Sequence, residues 1–510
     1  MTESDLALVP RPSLLSLTGG TFSVPHRFNV AESGCADDRD FIYKMLTTAS
    51  LITFKPTGDA PATLLVTMDP SFGADDEAYA LDVTTESILI TASGKAGLFY
   101  AAQTLRQLLD PARREVPCLH IEDAPRFKWR GMHLDVSRHF FDGAFVRRYI
   151  DLLAQHKLNV FHWHLTDDDG WRLELDAYPE LTERGGWRGE NEALPPSYGT
   201  GNERYGGYYT KDEVRDIIAY AADRHVTVVP EIDVPGHCKP VTVCHPHLLC
   251  EGDMAHMKSV QEVAQNLLCA GREETFEFLE TVIGEVAELF PSPYIHMGGD
   301  ERPEGPWEQC PLCAGRIRTE GLANTDQLQG YFMERVRKLV EARGKKMIGW
   351  NEITHGDIVS TSAIVMAWQD PEKGAEAACK GHPVIMAPAR HTYFDLSQAE
   401  HSDEPGLRWA GILPLKKAYS WSPLPDATAE KTRERILGVH GCLWSETLID
   451  DQRAEYMAFP RLCALAEVAW TPANLQRWPN FLERLTIGHL ARLKAQRIGY
   501  RPLDQIPPAQ

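Results

Sequence analysis

From Phe127 onward the chain alternates short apolar runs with longer stretches whose apolar residues recur every three or four positions. The short runs read as strands buried on both faces, the longer stretches as amphipathic helices. Eight runs qualify as strands: 128–136, 159–165, 226–234, 294–300, 346–350, 363–368, 383–388 and 436–444. Helical spacing predicts helices over 144–157, 211–225, 275–290 and 325–344. Such alternation predicts a (β/α)8 TIM barrel with long loops.

The first 124 residues have a different pattern. Tyr79, Leu81 and Val83 alternate with polar neighbours, 88–92 is a short apolar strand, and 95–110 is helical. We read three parts: a small α/β domain over 1–124, a (β/α)8 catalytic domain over 125–475, and a helical tail over 476–510 packed on the barrel. One tail helix is expected over 478–496.

The strand ends bring in chemistry. They read Asp135/Arg138, His164/Asp167/Asp168, Glu231/Asp233/His237, Asp300/Glu301, Trp350/Glu352, Trp368/Asp370, Tyr393/Asp395 and Trp444/Glu446. Barrel enzymes build their sites at the C-terminal ends of the strands, so these side chains should converge. Adjacent acids are ordinarily a solvated loop, but Asp300–Glu301 follows two glycines that let backbone approach a ligand closely. A glutamate in a partly apolar cleft can serve as a general acid. Neighbouring acids do not naturally flank a glycosidic bond, as double displacement requires. One acid plus a carboxylate assisting an internal nucleophile fits better. Trp350, Trp368 and Trp444, at matching strand ends, offer an aromatic wall for a sugar face.

Charge narrows the partners. The formal net charge of -20 argues against nucleic acid and anionic membranes. No apolar run is long enough to span a bilayer, and MTESDLALVPRPSLLSLTGG lacks the pattern of a signal peptide. A cytoplasmic location is therefore expected. Eleven cysteines, an odd number without a framework, suit reduced thiols. Cys310-x-x-Cys313 has no second pair following at zinc spacing and reads as a loop with two free thiols.

The motifs HMGGDE, RGMHLDVSRHF, HWHLTDDDGW, EIDVPGH, GWNEI, YFDL and GVHGCLWSE resemble glycoside hydrolase family 20, the β-N-acetylhexosaminidases. The similarity covers nearly the whole chain, and 87–109 resembles the end of that family's N-terminal domain. The resemblance implies exo-acting, retaining release of terminal β-linked GlcNAc or GalNAc, assisted by the substrate's acetamido group. It implies Glu301 as acid then base, Asp300 orienting the acetamido group, and Tyr393 donating to its carbonyl. Trp350, Trp368 and Trp444 would enclose the methyl, while Arg138, Glu446 and Asp395 would hold the sugar hydroxyls. Asp167 or Asp168, with His237, would tune Glu301. Trp171 and Trp187 would either add aglycone contacts or simply pack. No cofactor and no metal are expected. Two positions depart from the family pattern: Asn351 where aspartate is common, and Leu396 where an aromatic is common.

Three rival readings use the same residues. His162-x-His164 with Asp167, Asp233 and His237 would make a metal hydrolase. Glu231 with Glu301 would make a two-carboxylate glycosidase. A catalytically silent sugar-binding protein would leave the intact Asp300–Glu301 pair unexplained.

Overall fold

The computed structural model describes residues 2–33, 43–44, 46–47, 54–56, 61–73, 75–109, 114–252, 254–424 and 430–503. Strands β1 (Leu14–Ser23), β2 (Phe28–Ser33), β3 (Phe54–Pro56), β4 (Leu64–Met68), β5 (Tyr79–Val83), β6 (Ile88–Ala92) and β7 (Glu115–Asp123) form a mixed sheet. Its order is β1-β7-β5-β6-β4-β2-β3. Helix α1 (Lys95–Leu108) packs on β5 and β6, where Tyr79, Leu81 and Val83 are buried.

The second unit is a closed eight-stranded parallel barrel. Its strands are β8 (Trp129–Asp135), β9 (Val160–His164), β10 (Thr227–Val234), β11 (Tyr294–Gly298), β12 (Lys346–Trp350), β13 (Ile364–Ala367), β14 (Val384–Met386) and β15 (Ile436–Gly441). They pair in chain order, and β15 closes on β8. Several strands stop short of the apolar runs that announce them. Gly299–Asp300, Ala387–Pro388 and Cys442–Trp444 leave the ladder and begin the loops at the barrel mouth. Among the surrounding helices are α2 (Gly143–Gln155), α3 (Lys211–Ala222), α4 (Glu273–Leu289), α5 (Pro311–Glu320), α6 (Thr325–Ala342), α7 (Pro371–Lys380) and α8 (Arg461–Trp470). Local chemistry starts them: Asp142 accepts from Phe145 N at 2.9 Å, and Thr210 and Glu213 form a capping box on α3.

Polar groups fill part of the barrel interior. His133, His162, His296 and His440 are buried there, with His162 4.6 Å from His296 and 5.3 Å from His440 between ring centroids. Burial holds His162 down at about 4 and pushes His133 and His440 well below the ordinary imidazole value.

Buried ion pairs join the two units. Arg130 on β8 grips Glu77 at 2.7 and 3.0 Å, and Lys157 reaches Asp123 at 2.8 Å. The tail is one continuous helical stretch, as expected, but it carries a π segment and holds both units. A π turn at Leu485–His489 divides it into Trp478–Arg484 and Leu490–Ala495. Its cations reach both units: Arg484 pairs with Glu467 of α8, while Arg492 donates to Gln107 O at 2.9 Å and Leu6 O at 2.8 Å. Among the described residues, no helix is long and apolar enough to cross a membrane.

Candidate active site

Side chains from the strand ends meet in one cleft at the C-terminal mouth of the barrel. Arg138, His237, Asp300, Glu301, Trp350, Trp368, Tyr393, Asp395, Trp444 and Glu446 all line it. Asp167 and Asp168 stand behind His237. A larger cleft, lined by Asp76, Lys128 and His225, lies where the N-terminal unit meets the opposite end of the barrel. The mouth, not that lower cleft, is where barrel chemistry is built.

The backbone carrying the acids is shaped by glycine. Gly298 and Gly299 have φ of 58° and 98°. A Cβ on Gly298 would lie 1.6 Å from Asp233 Oδ1, and one on Gly299 would lie 2.4 Å from Ile353 Cγ2. Glu301 and His237 adopt positive φ themselves, at 42° and 54°. Such conformations cost energy in non-glycine residues and cluster at functional sites.

His237 organises the acid side. Its Nδ1 is 3.0 Å from Asp167 Oδ1 and 3.7 Å from Asp168 Oδ2. Its Nε2 is 3.6 Å from Glu301 and 3.7 Å from Asp300. Asp167 is therefore the direct partner. It also holds Arg138 at 2.8 Å and His164 at 2.8 Å. Asp168 instead accepts from Asn266 Nδ2 at 2.7 Å and Lys239 N at 3.1 Å.

The acid pair is electrostatically asymmetric. Burial pushes Asp300 up to about 6. Burial would raise Glu301 too, but the nearby His237 imidazole and the hydrogen bond from Gln261 outweigh it and hold Glu301 below the usual carboxylate range. In the unliganded site the proton of the pair thus favours Asp300. Burial against Asp167 makes a cation of His237: desolvation lowers it, and the aspartate outweighs that and raises it well above the ordinary value.

Opposite the acids stands an aromatic box. Trp350 lies 5.8 Å from Trp444, and Trp368 stacks on Tyr393 at 6.1 Å and 20°. Two of the three indoles are fixed from behind. Trp350 Nε1 donates to Glu231 at 2.9 Å, and Trp368 Nε1 donates to Glu352 at 2.9 Å. Burial pushes Glu352 up to about 8. Burial keeps the Tyr393 phenol well above its ordinary value, so it is a neutral donor.

The polyol side carries one cation and two carboxyls. Arg138 is buried, paired with Asp135 at 3.2 Å, with its guanidinium 5.0 Å from the Trp444 ring centre. Both Asp395 oxygens, Glu446 Oε2 and Arg138 Nε have no hydrogen-bond partner among the described residues. Buried polar groups without partners are costly, and hydroxyl groups of a ligand would satisfy them.

Glu231 is excluded as a nucleophile. It is fully buried and ringed by His164 Nδ1 at 2.5 Å, His162 Nε2 at 2.9 Å, His296 Nδ1 at 2.9 Å and Trp350 Nε1. Burial raises its carboxyl, but the imidazoles outweigh that and hold it well below the usual range. His164, which the metal-hydrolase reading requires as a ligand, has both ring nitrogens taken, by Glu231 at 2.5 Å and Asp167 at 2.8 Å.

Sequence reasoning missed several residues. Gln261, from the loop after β10, donates to Glu301 Oε2. Trp409 lines the cleft mouth, 57% exposed, edge-on to Trp368 and Tyr393 at 5.8 and 6.0 Å. It supplies the rim aromatic that Leu396 does not, since Leu396 is buried. Asn351 has a structural task, accepting from Trp368 N at 3.1 Å. Trp171 is buried and donates to Leu173 O, so it packs. Cys310 and Cys313 are free thiols as expected, but they stand at the start of a helix, not in a loop, and against Cys250 and Cys269.

An acid pair facing an aromatic box, with hydroxyl-binding groups on the third side, is built to cleave a glycosidic bond at a sugar gripped on all faces. That defines the class as a barrel glycoside hydrolase. Residues 127–473 match glycosyl hydrolase family 20, catalytic domain, and residues 5–124 match domain 2 of the same family. A β-hexosaminidase of Vibrio furnissii is 40% identical over 90% of this chain and 76% of its own. A β-N-acetylhexosaminidase of Cellulomonas fimi is 34% identical over 94% and 93%. The solved exo-β-N-acetylglucosaminidase of Vibrio harveyi superposes with a TM-score of 0.91 at 39% identity, over 98% of this chain and 78% of that one. The chain belongs to glycosyl hydrolase family 20 and is a glycoside hydrolase of the β-hexosaminidase kind.

Proposed function

We propose that the chain is a retaining exo-β-N-acetylhexosaminidase that releases terminal non-reducing β-linked GlcNAc or GalNAc through an oxazolinium intermediate. The observation that carries this reading is a contrast between two carboxylates. Glu231 is fully buried outside the cleft lining and held by donors from His164 and Trp350, whereas Asp300, which lines the cleft, has an Oδ1 without a partner among the described residues. The missing second nucleophile is the substrate's own acetamido oxygen.

The box of Trp350, Trp368 and Trp444 encloses the acetamido methyl, and Tyr393 donates to the carbonyl oxygen. Asp300 accepts the acetamide N–H, which favours its anion and shifts the proton of the pair to Glu301. Glu301 protonates the departing oxygen while the acetamido oxygen attacks C1. The anionic Asp300 balances the cation that forms. Glu301, now ionised, deprotonates the water that opens the ring, so the configuration is retained. Arg138, Asp395 and Glu446 hold the hydroxyls, which closes the pocket at one sugar and gives exo action. Two solved relatives are described with related ligands: the Vibrio harveyi enzyme with N-acetylglucosamine, and the Streptomyces plicatus enzyme with Thio-NAglucal.

Two variants test the roles. Glu301→Gln abolishes turnover of substrates with poor leaving groups and leaves the fold intact; near-normal turnover would remove Glu301 from its role. Asp300→Asn lowers kcat by about 10²–10³ although the acid remains, the scale of losing one preorganised electrostatic group. A harmless Asp300→Asn would overturn substrate assistance.

A further inference from the structure

Four sulfur atoms converge beside the loop that leaves β11. Cys269 Sγ is 3.6 Å from Cys313 Sγ and 3.8 Å from Cys310 Sγ, and Cys250 Sγ is 3.9 Å from Cys313 Sγ. All four lie within 4.8 Å of one another, three of them buried. These separations are far from the roughly 2.0 Å of a disulfide. They match the edge of a sulfur tetrahedron around zinc, where Zn–S bonds of about 2.3 Å set neighbouring sulfurs about 3.8 Å apart.

The backbone also suits thiolates. Cys310 is the N-cap residue of α5 and Cys313 lies in its first turn, where free N–H groups and the helix dipole favour negative charge. Arg272 and Arg316 stand three residues after Cys269 and Cys313. Arg272 donates to Leu249 O at 3.0 Å and pairs with Glu251, and Arg316 donates to Gly271 O at 3.4 Å and pairs with Glu273.

We infer that Cys250, Cys269, Cys310 and Cys313 bind one Zn²⁺ as a closed tetrathiolate. Four thiols release their protons to solvent as four Zn–S bonds form, and nothing is oxidised or reduced. With four protein ligands and no open position, the site is structural, not catalytic. Its place explains its use. Cys250 and Cys269 bracket the loop that delivers Gln261 to Glu301, and Cys310-x-x-Cys313 ends the segment that begins at Glu301. The metal ties one side of the cleft to the other. Trp307 Nε1, donating to Leu268 O at 2.9 Å, ties the same two segments.

The test uses the full chain, purified under reducing conditions with a tag free of histidine and passed over a chelating resin. Elemental analysis should find about one zinc per chain, released to a colorimetric chelator in step with thiol blocking by an organomercurial. Exchange with Co²⁺ should give the intense visible bands and sulfur-to-cobalt charge transfer of a tetrahedral thiolate site. The double variant Cys310→Ser/Cys313→Ser should lose the metal; the cobalt spectrum of the unmutated chain decides independently of how that variant folds. Substoichiometric metal with no cobalt–thiolate spectrum would overturn the inference. So would iron in place of zinc, or disulfides found by mass under non-reducing conditions.

Discussion

Replacing Glu231 by glutamine probes how the cleft is held together. The carboxylate accepts from Trp350 on Oε1 and from His164 on Oε2, with His296 and His162 standing 2.9 Å from the same two oxygens. A glutamine oxygen can serve one of these pairs, and its amide N–H₂ then confronts the other. If the oxygen keeps Trp350, the amide faces His164, whose raised pKa depends on this anion after burial has lowered it. His164 then becomes neutral, and the Asp167–His237–Glu301 chain loses one of its supports. Breaking a buried ionic cluster by neutralising one member costs about 3–5 kcal/mol. That is a large part of a folding free energy of about 5–15 kcal/mol. Displacing Trp350 or His237 by about 1 Å is worth about 10² in rate. Glu231→Gln should therefore lower the urea midpoint sharply and kcat/KM about 10²-fold, with no recovery when azide is added. An unchanged midpoint and rate would refute the reasoning. So would azide rescue with formation of a glycosyl azide, because that would make Glu231 the nucleophile.

Other perturbations address single features of the cleft. Glu352 binds its proton more tightly folded than unfolded, so its stabilisation is full below 4.5 and is lost as pH rises through about 8. Glu352→Gln should therefore gain on the parent, by up to roughly a few kcal/mol, across this window; urea midpoints measured at its two ends check the sign. Trp409→Ala should raise KM about threefold to tenfold with little change in kcat, because an exposed stacking ring binds substrate and transition state alike. A fall in kcat alone would place Trp409 in the chemistry.

The barrel and its mouth were legible for a physical reason. A parallel strand buried on both faces must be an unbroken apolar run, so a polar or aromatic residue at its end has no packing role there. That argument locates Asp300, Glu301, Trp350, Trp368 and Trp444 without a structure. It fails in the long loops, which have no period. Gln261 and Trp409 sit in such loops, and only the fold brings them to Glu301 and Trp368. Glu231 is a subtler failure. Its position at a strand end was readable, but its ring of polar neighbours was not, because they come from β9, β11 and β12. The cysteines repeat the lesson: a search for a partner pair after Cys313 overlooks Cys250 and Cys269, which come before and far apart. The tail helix over 478–496 was readable as helical, but not its π turn or its grip on Gln107 and Leu6.

The central claim is that the substrate's acetamido oxygen, not a protein carboxylate, attacks C1. The most direct measurement is kcat/KM for aryl β-glycosides whose 2-acetamido group carries zero to three fluorines, beside the 2-hydroxyl analogue. The account predicts a steep fall with each fluorine, as the carbonyl oxygen becomes a poorer nucleophile, and no cleavage of the 2-hydroxyl sugar. Rates indifferent to fluorination, with the 2-hydroxyl sugar cleaved as well, would contradict it.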